Sequence, residues 1–403
     1  MVSLKLLIRT YRSALTFVGA ACLTYICSYF SLVVSASYPE LRFFGRYVFI
    51  IAVLCIVFLT FERRYRLTKL PSYFFMLAFT IYYLAHCIYF ENGGLESYAL
   101  SLYILYFLGI SYWLLISNET DYLQILFMTW IVLLLAISYY IKVVLDFGPI
   151  VSRITPEDMG LEVNGNVLCF MSATFSILSL RIYEIYPFGH VIRSANRLRL
   201  EILALSSISL ACLVFSVWHL NMTFTFVNLI TLSLILHRYS GKSIKIGLLI
   251  AFVIAVTSVD FSYFDGDLID QLELFSERIE GGGSSVQRLA SATYVYNQWL
   301  INPIFGASKN FAVIDGSGTS NHTFYLNILA IYGVAGFILF LSLILSLILP
   351  GIRSMSMGQM LARVLFLVMW MVGPSTYPQA IALLIMLPRR YYSSNDSRPR
   401  SGV

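Results

Sequence analysis

Long apolar runs restrict what this chain can fold into more than any other feature of its sequence. A run of about 20 apolar residues is long enough to cross a bilayer as a helix, and such runs recur from residue 14 to residue 388. Only 12% of the 403 residues are charged, whereas a soluble domain carries roughly 25%. The sequence therefore excludes a soluble globule, a disordered chain and a disulfide scaffold. It predicts an all-α, polytopic membrane protein.

Twelve membrane spans are predicted, and residues 1–403 are expected to form a single integral membrane domain. The spans are 14–35, 43–61, 71–90, 97–117, 122–144, 165–186, 201–218, 221–237, 246–260, 322–349, 361–373 and 376–388. The stretch 200–237 is too long for one helix, so it is divided at residues 219–221. The last two spans are short and are divided at residues 373–376. The alternative is one kinked helix there, which would give eleven spans and an outer C-terminus.

The distribution of charge gives the orientation of these spans, because cytoplasmic loops are enriched in lysine and arginine. With the N-terminus inside, 20 of the 27 basic residues fall in inner segments, and 15 of the 21 acids fall in outer segments. The sequence therefore predicts cytoplasmic N- and C-termini. The basic tail at Arg389 and Arg390 favours twelve spans over eleven.

The largest predicted loop, residues 260–321, lies on the outer side. Loops of this length are usually functional. Its apolar pattern predicts helices at 267–280 and 286–301, separated by the glycine–serine run 281–285 and ended by a turn at 302–306.

The sequence contains no GxxxxGK[ST], HExxH or GxSxG motif, so nucleotide-driven work and zinc hydrolysis have no motif here. No cofactor, metal or nucleic-acid partner is predicted. The six cysteines lie in apolar runs and are interpreted as small hydrophobic side chains. Acids and lysines are missing from the middle of the spans, which weighs against a proton-coupled pump.

Basic and imidazole groups converge instead on the large outer loop. Arg278 and Arg288 flank its glycine run, and His322 opens the tenth span. Imidazole suits general-base work near neutral pH, and the planar guanidinium suits phosphate. His322 and Gly333 are separated by about three helical turns and are predicted to share one face. Such a set suits a site that holds a lipid-linked pyrophosphate and deprotonates an incoming hydroxyl.

Residues 280–340 resemble the O-antigen ligase/polymerase superfamily in the stretch GGGSSVQRLASATYVYNQWLINPIFGASKN…SNHTFYLNILAIYGVAGFILF. The shared features are a Ser/Arg loop helix, the turn Pro303–Gly306, and the histidine motif Asn321–His322 followed by spaced glycines. The number of spans, the large outer loop and the Asn-Gly-Asn sequence at 164–166 are also similar to the family.

The resemblance implies a metal-independent, inverting glycosyltransferase of the bacterial inner membrane, with loop 260–321 in the periplasm. It implies that His322 is the general base, that Arg288 binds pyrophosphate, and that Arg278 and Arg153 make further phosphate contacts. Many relatives also carry an arginine at an outer turn between two middle spans. The matching turn here, 218–223, has none, and His219 or Arg153 is the candidate substitute.

The expected substrate is an undecaprenyl-pyrophosphate-linked oligosaccharide within a membrane of lipid. A polymerase of O-antigen or capsule repeats is favoured, with a second lipid-linked repeat as the acceptor. The alternatives are an O-antigen ligase, which uses lipid A-core, and a lipid-linked oligosaccharide flippase. A flippase and a chain-length regulator are expected partners of the polymerase.

Each candidate residue also has a purely structural interpretation. His322 and His219 would then cap helices, and Arg288 would be a surface charge. Arg278 lies close in sequence to Glu277 and Glu280, which suits a local ion pair. The glycines after His322 would only permit close helix packing. His86, inside the third span, is interpreted as a polar contact between helices.

Overall fold

The computed structural model describes much of the chain. The described residues are 2–27, 40, 44, 47–48, 50–52, 54–55, 71–90, 119–147, 165–185, 195–218, 222–239, 293–297, 299–306, 324–349, 355–372, 381–382 and 384–385. Their regular structure is helical, which confirms the all-α class for this part of the chain. The predicted spans 97–117 and 246–260 lie outside it.

Eight long helices make up most of the described structure. They are α1 Val2–Cys27, α2 Pro71–Tyr89, α3 Glu119–Phe147, α4 Gly165–Ile185, α5 Ala195–Trp218, α6 Met222–Tyr239, α7 Phe324–Ile348 and α8 Met357–Val372. Each overlaps a predicted span, although α1 begins at Val2 rather than at residue 14. Four of them, α3, α4, α5 and α7, are long and apolar enough to cross a membrane. The chain is therefore an α-helical protein suited to a membrane.

Helix α2 has one exposed apolar face and one buried face. Phe74, Leu77, Ile81, Leu84 and Ile88 are all exposed, and their spacing of three and four residues places them in one stripe. The opposite face buries Phe79, Tyr83 and His86. In a membrane protein the exposed apolar stripe is the face that meets lipid.

Helix α4 is the centre of the described bundle. Every residue from Leu168 to Arg181 is buried, and α4 packs against α3, α5, α6 and α8. Hydroxyl groups join it to its neighbours: Trp130 Nε1 of α3 donates to Ser179 Oγ at 2.8 Å, and Ser176 and Ser209 of α5 share a hydrogen bond of 2.8 Å. Small polar side chains of this kind allow helices to approach closely within a membrane.

Helices α5 and α6 form a hairpin, as the division at residues 219–221 predicts. Helix α5 ends at Trp218, and α6 begins at Met222. Asn228 of α6 is fully buried and donates through Nδ2 to the Cys212 carbonyl at 3.1 Å and to Ser216 Oγ at 2.8 Å. The Asn228 side chain therefore links α6 to α5 through one hydrogen bond to the α5 backbone and one to an α5 side chain.

Candidate functional site

All five candidate site residues from the sequence, Arg153, His219, Arg278, Arg288 and His322, lie outside the described residues. Their predicted roles remain predictions. The structure does describe the turn that precedes His322 in the chain, the helix that follows it, and the helix against which both of these pack.

The turn that follows the loop helix is closed by hydrogen bonds. Residues 293–297 and 299 are helical, and the chain turns over residues 300–305. The Gly306 amide donates to the Asn302 carbonyl at 2.8 Å, and Trp299 Nε1 donates to the Pro303 carbonyl at 3.0 Å. Proline has no amide hydrogen and ends the helix, so the predicted turn at 302–306 is confirmed.

Helix α7 is interrupted at Gly333, whose φ of 65° and ψ of −172° are not helical. This backbone region is open essentially to glycine alone. The next two amides hydrogen-bond to the turn and not to their own helix: Val334 donates to the Pro303 carbonyl at 2.9 Å, and Ala335 donates to the Ile304 carbonyl at 3.1 Å. Carbonyl groups of the turn therefore pair the amides that the break in α7 leaves without helical partners.

Neither glycine at this junction leaves room for a side chain. Gly306 has a φ of 76°, and a Cβ there would lie 2.5 Å from the Gly333 amide nitrogen. A Cβ on Gly333 would lie 2.5 Å from the Gly306 amide nitrogen, and closer still to the Ile304 carbonyl. Real Cβ atoms essentially never approach within 3.0 Å of such atoms. The two glycines permit the close approach of the two backbones.

Helix α2 completes this junction from the side. His86 Nε2 lies 3.0 Å from the Phe305 carbonyl, and because a carbonyl only accepts, Nε2 is the donor. Tyr82 donates its hydroxyl to the Tyr332 carbonyl at 2.6 Å. The His86 and Tyr332 rings meet edge to face with centroids 5.2 Å apart. We call this set the glycine junction: residues 299–306, Gly333 with its neighbours in α7, and Tyr82 and His86 of α2.

Two expectations from the sequence concern this junction. The shared face expected for His322 and Gly333 stays a prediction, because His322 lies outside the described residues. The interpretation of His86 as a polar contact between helices is confirmed, since His86 contacts the Tyr332 ring and the Ile331 backbone of α7 in addition to the Phe305 carbonyl of the turn. The packing role of Gly336 is confirmed, since a Cβ there would lie 2.7 Å from the Tyr82 ring.

The glycine junction lies at one end of the segment 307–323, which carries His322. Gly306 packs against α7 at that end, and α7 begins at Phe324 directly after the segment. Among the described residues no group of three or more His, Cys, Asp or Glu side chains is arranged to hold a metal ion. The described residues next to this segment are therefore backbone contacts and aromatic side chains, and the placement of His322 itself stays a prediction.

A buried charged cluster lies at the other end of the bundle and was missed by sequence reasoning. Arg181, counted with the inner loop charges, is 3% exposed within α4 and lies 3.5 Å from Glu184. It donates to Ser356 Oγ at 2.9 Å, and Glu184 Oε1 accepts from the Gly358 amide at 3.0 Å. The carboxylate thus sits at the N-terminus of α8, where a negative charge is favourable. The i, i+3 spacing of Arg181 and Glu184 was the available signal.

Comparison of the chain with family models, curated protein sequences and solved structures gives no match.

Proposed function

We propose that this chain is an integral membrane glycosyltransferase that polymerises undecaprenyl-pyrophosphate-linked O-antigen or capsule repeats at the periplasmic face of the bacterial inner membrane. The glycine junction is the observation that carries the proposal. The turn at 303–306 and the glycines after His322 are separate parts of the resembling sequence, and Gly306 and Gly333 meet within one backbone contact. Parts of a family motif are expected to pack together, whereas residues that match by chance are not. The contact therefore favours a true resemblance to the family.

In the proposed reaction the acceptor hydroxyl attacks the anomeric carbon of the donor sugar. His322 takes the hydroxyl proton as a new carbon–oxygen bond forms. The bond from the anomeric carbon to the pyrophosphate oxygen breaks, and undecaprenyl pyrophosphate leaves with inverted configuration at the sugar. Arg288, with Arg278 and Arg153, stabilises the charge on this leaving group. The donor is already activated, so no nucleotide is required, and the resemblance implies that no metal takes part.

The proposed twelve-span topology, with both termini cytoplasmic, is supported by contacts at the Arg181 end of the bundle. Tyr122, at the start of α3, lies beside Arg181 and donates to the Leu384 carbonyl at 2.9 Å. Helix α8 begins at the same end, where Gly358 meets Glu184. The residues near 358 and near 384 therefore lie at the same end of the bundle, which is the arrangement that two separate spans between them predict.

Analysis of lipopolysaccharide from a deletion strain separates the polymerase from the ligase. Loss of a polymerase leaves a core that carries a single repeat, whereas loss of a ligase leaves a core without any repeat. Accumulation of repeat units on the cytoplasmic face would instead indicate a flippase. The single-repeat core is the result that we expect.

The His322→Ala variant tests the mechanism. We expect it to reach the membrane at normal levels and to make no polymer, because the acceptor hydroxyl keeps its proton. His237→Ala is the matched control, since His237 is an exposed histidine near the end of α6 and polymer should be normal. Normal polymer from His322→Ala would contradict the proposed general base. A chelator should leave polymerisation in isolated membranes unchanged.

A further inference from the structure

We propose that residues 299–306 form a re-entrant turn whose exposed apolar side chains lie in the hydrocarbon of the bilayer leaflet nearest His86. The loop between α6 and α7 would then return into the membrane before α7 begins, rather than remaining wholly in water. This inference depends on the membrane character of the helices and not on the glycosyltransferase activity.

The position of His86 on α2 indicates the depth of the turn. His86 lies three residues before the helix end at Tyr89, which is about 5 Å at the helical rise of about 1.5 Å per residue. This distance from the helix end falls within the zone roughly 5–10 Å deep where amphipathic segments insert.

Three consecutive carbonyl groups of the turn, at residues 303–305, accept hydrogen bonds from protein donors outside the turn's own backbone. Pro303 accepts from Val334 and from Trp299 Nε1, Ile304 accepts from Ala335, and Phe305 accepts from His86. A turn in water needs no such set, because water supplies the missing donors. At membrane depth an unsatisfied carbonyl costs several kcal/mol, and irregular backbone is tolerated only where protein pairs it. The pairing of these three carbonyls is therefore the pattern expected of a turn segment outside bulk water.

The exposure of the turn's side chains also supports a position in lipid. Ile301, Ile304 and Phe305 are exposed by 74%, 59% and 54%. Exposed apolar side chains that lie together mark interaction sites, and contact with a membrane is one of these. Helices α2 and α7, which bind the turn through hydrogen bonds, also expose apolar side chains, with Ile88 and Ile338 exposed by 79% and 54%. The turn thus shares the apolar exposure of the lipid-facing helices that hold it, and bilayer hydrocarbon is the proposed occupant.

The environment of Trp299 also supports a position of the turn at the edge of the membrane. Its indole nitrogen is paired with the Pro303 carbonyl, while the ring packs against Tyr296 with centroids 5.6 Å apart. Tryptophan and tyrosine are enriched at the boundary between headgroups and acyl chains. The aromatic pair thus lies where the loop helix would pass from the interface into the turn.

Nitroxide accessibility in lipid nanodiscs tests the placement. Single cysteines are introduced by Ile301→Cys and Ile304→Cys in a chain whose six native cysteines are replaced. Both positions are more than half exposed, so the label displaces no core packing. We expect greater relaxation by oxygen, which partitions into lipid, than by a water-soluble nickel complex. Ile338→Cys on α7 is the lipid reference, and Ser285→Cys in the glycine–serine run is the water reference.

Labelling by a water-soluble maleimide provides a second measurement that needs no spin label. Ile301→Cys in proteoliposomes should react at least ten times more slowly than Ser285→Cys, and the difference should shrink in detergent with a denaturant. A nickel accessibility equal to that at Ser285→Cys, or labelling at the same rate, would overturn the proposal. Low accessibility to oxygen and nickel alike would also overturn it, since protein and not lipid would then cover the patch.

Discussion

Gly306 and Gly333 lie backbone to backbone, so that a Cβ on either glycine would be 2.5 Å from the amide nitrogen of the other. Both have positive φ, at 76° and 65°. The contact joins a turn of the outer loop to the interior of α7 across 27 residues of sequence. Most of the residues between them, 307–323, form the segment that contains His322.

The first prediction concerns these two glycines. Gly306→Ala and Gly333→Ala should each lower the apparent Tm in detergent by several degrees, because a positive φ in alanine costs about 1–3 kcal/mol and the Cβ cannot fit. Since either variant already separates the two backbones, the double variant should lose less than the sum of the single losses. Ile338→Ala, at an exposed site on the same helix, is the control. Additive losses would mean that the two glycines act independently.

The second prediction concerns His86. His86→Ala removes the donor to the Phe305 carbonyl and leaves that acceptor unsatisfied, which costs about 1–3 kcal/mol. His86→Gln places an amide donor at a similar distance and should recover most of the loss. Proteolysis of the loop should be faster in His86→Ala than in wild type and close to wild type in His86→Gln. If alanine and glutamine behave alike, the hydrogen bond contributes nothing beyond the packing of the ring.

The third prediction concerns the buried pair Arg181 and Glu184. Removing one partner leaves the other charge buried without its opposite charge, and such changes cost about 3–5 kcal/mol. Arg181→Met and Glu184→Met should therefore each lower the apparent Tm strongly, and the double variant should be more stable than either. Lys142→Met, at an exposed position on α3, should have little effect. A double variant less stable than both single variants would show that Arg181 and Glu184 also stabilise the fold through contacts other than their ion pair.

The fourth prediction concerns Asn228. Its Nδ2 holds α6 to the Cys212 carbonyl and Ser216 of α5, whereas its Oδ1 is buried without a hydrogen-bond partner. Interhelical hydrogen bonds within membranes contribute about 0.6 kcal/mol on average. Asn228→Leu should accordingly lower the apparent Tm by only a few degrees, because the unpaired acceptor is removed together with the donor. Leu229→Ala, at the exposed neighbouring site, is the control, and a large loss in Asn228→Leu would indicate a role beyond these bonds.

Most of the helix positions were predictable because they follow from local sequence. Apolar runs long enough to cross a bilayer gave α3, α4 and α7 to within a few residues, and the excess length of 200–237 gave the hairpin of α5 and α6. The turn at 302–306 was also predictable, since Pro303 lacks an amide hydrogen and ends the helix before it. The start of α1 at Val2 was not, because helix continues through basic residues that the hydropathy pattern excludes from a span.

The sequence by itself determined that this chain is helical, apolar and suited to a membrane, because a bilayer leaves few solutions for a backbone whose polar groups must pair internally. Tertiary structure alone decided which distant residues meet. The break at Gly333 requires carbonyl partners from Pro303 and Ile304, and the burial of Arg181 requires Glu184 and the first turn of α8. These contacts depend on the packing of helices distant in the chain, and no local pattern of apolar and polar residues specifies that packing.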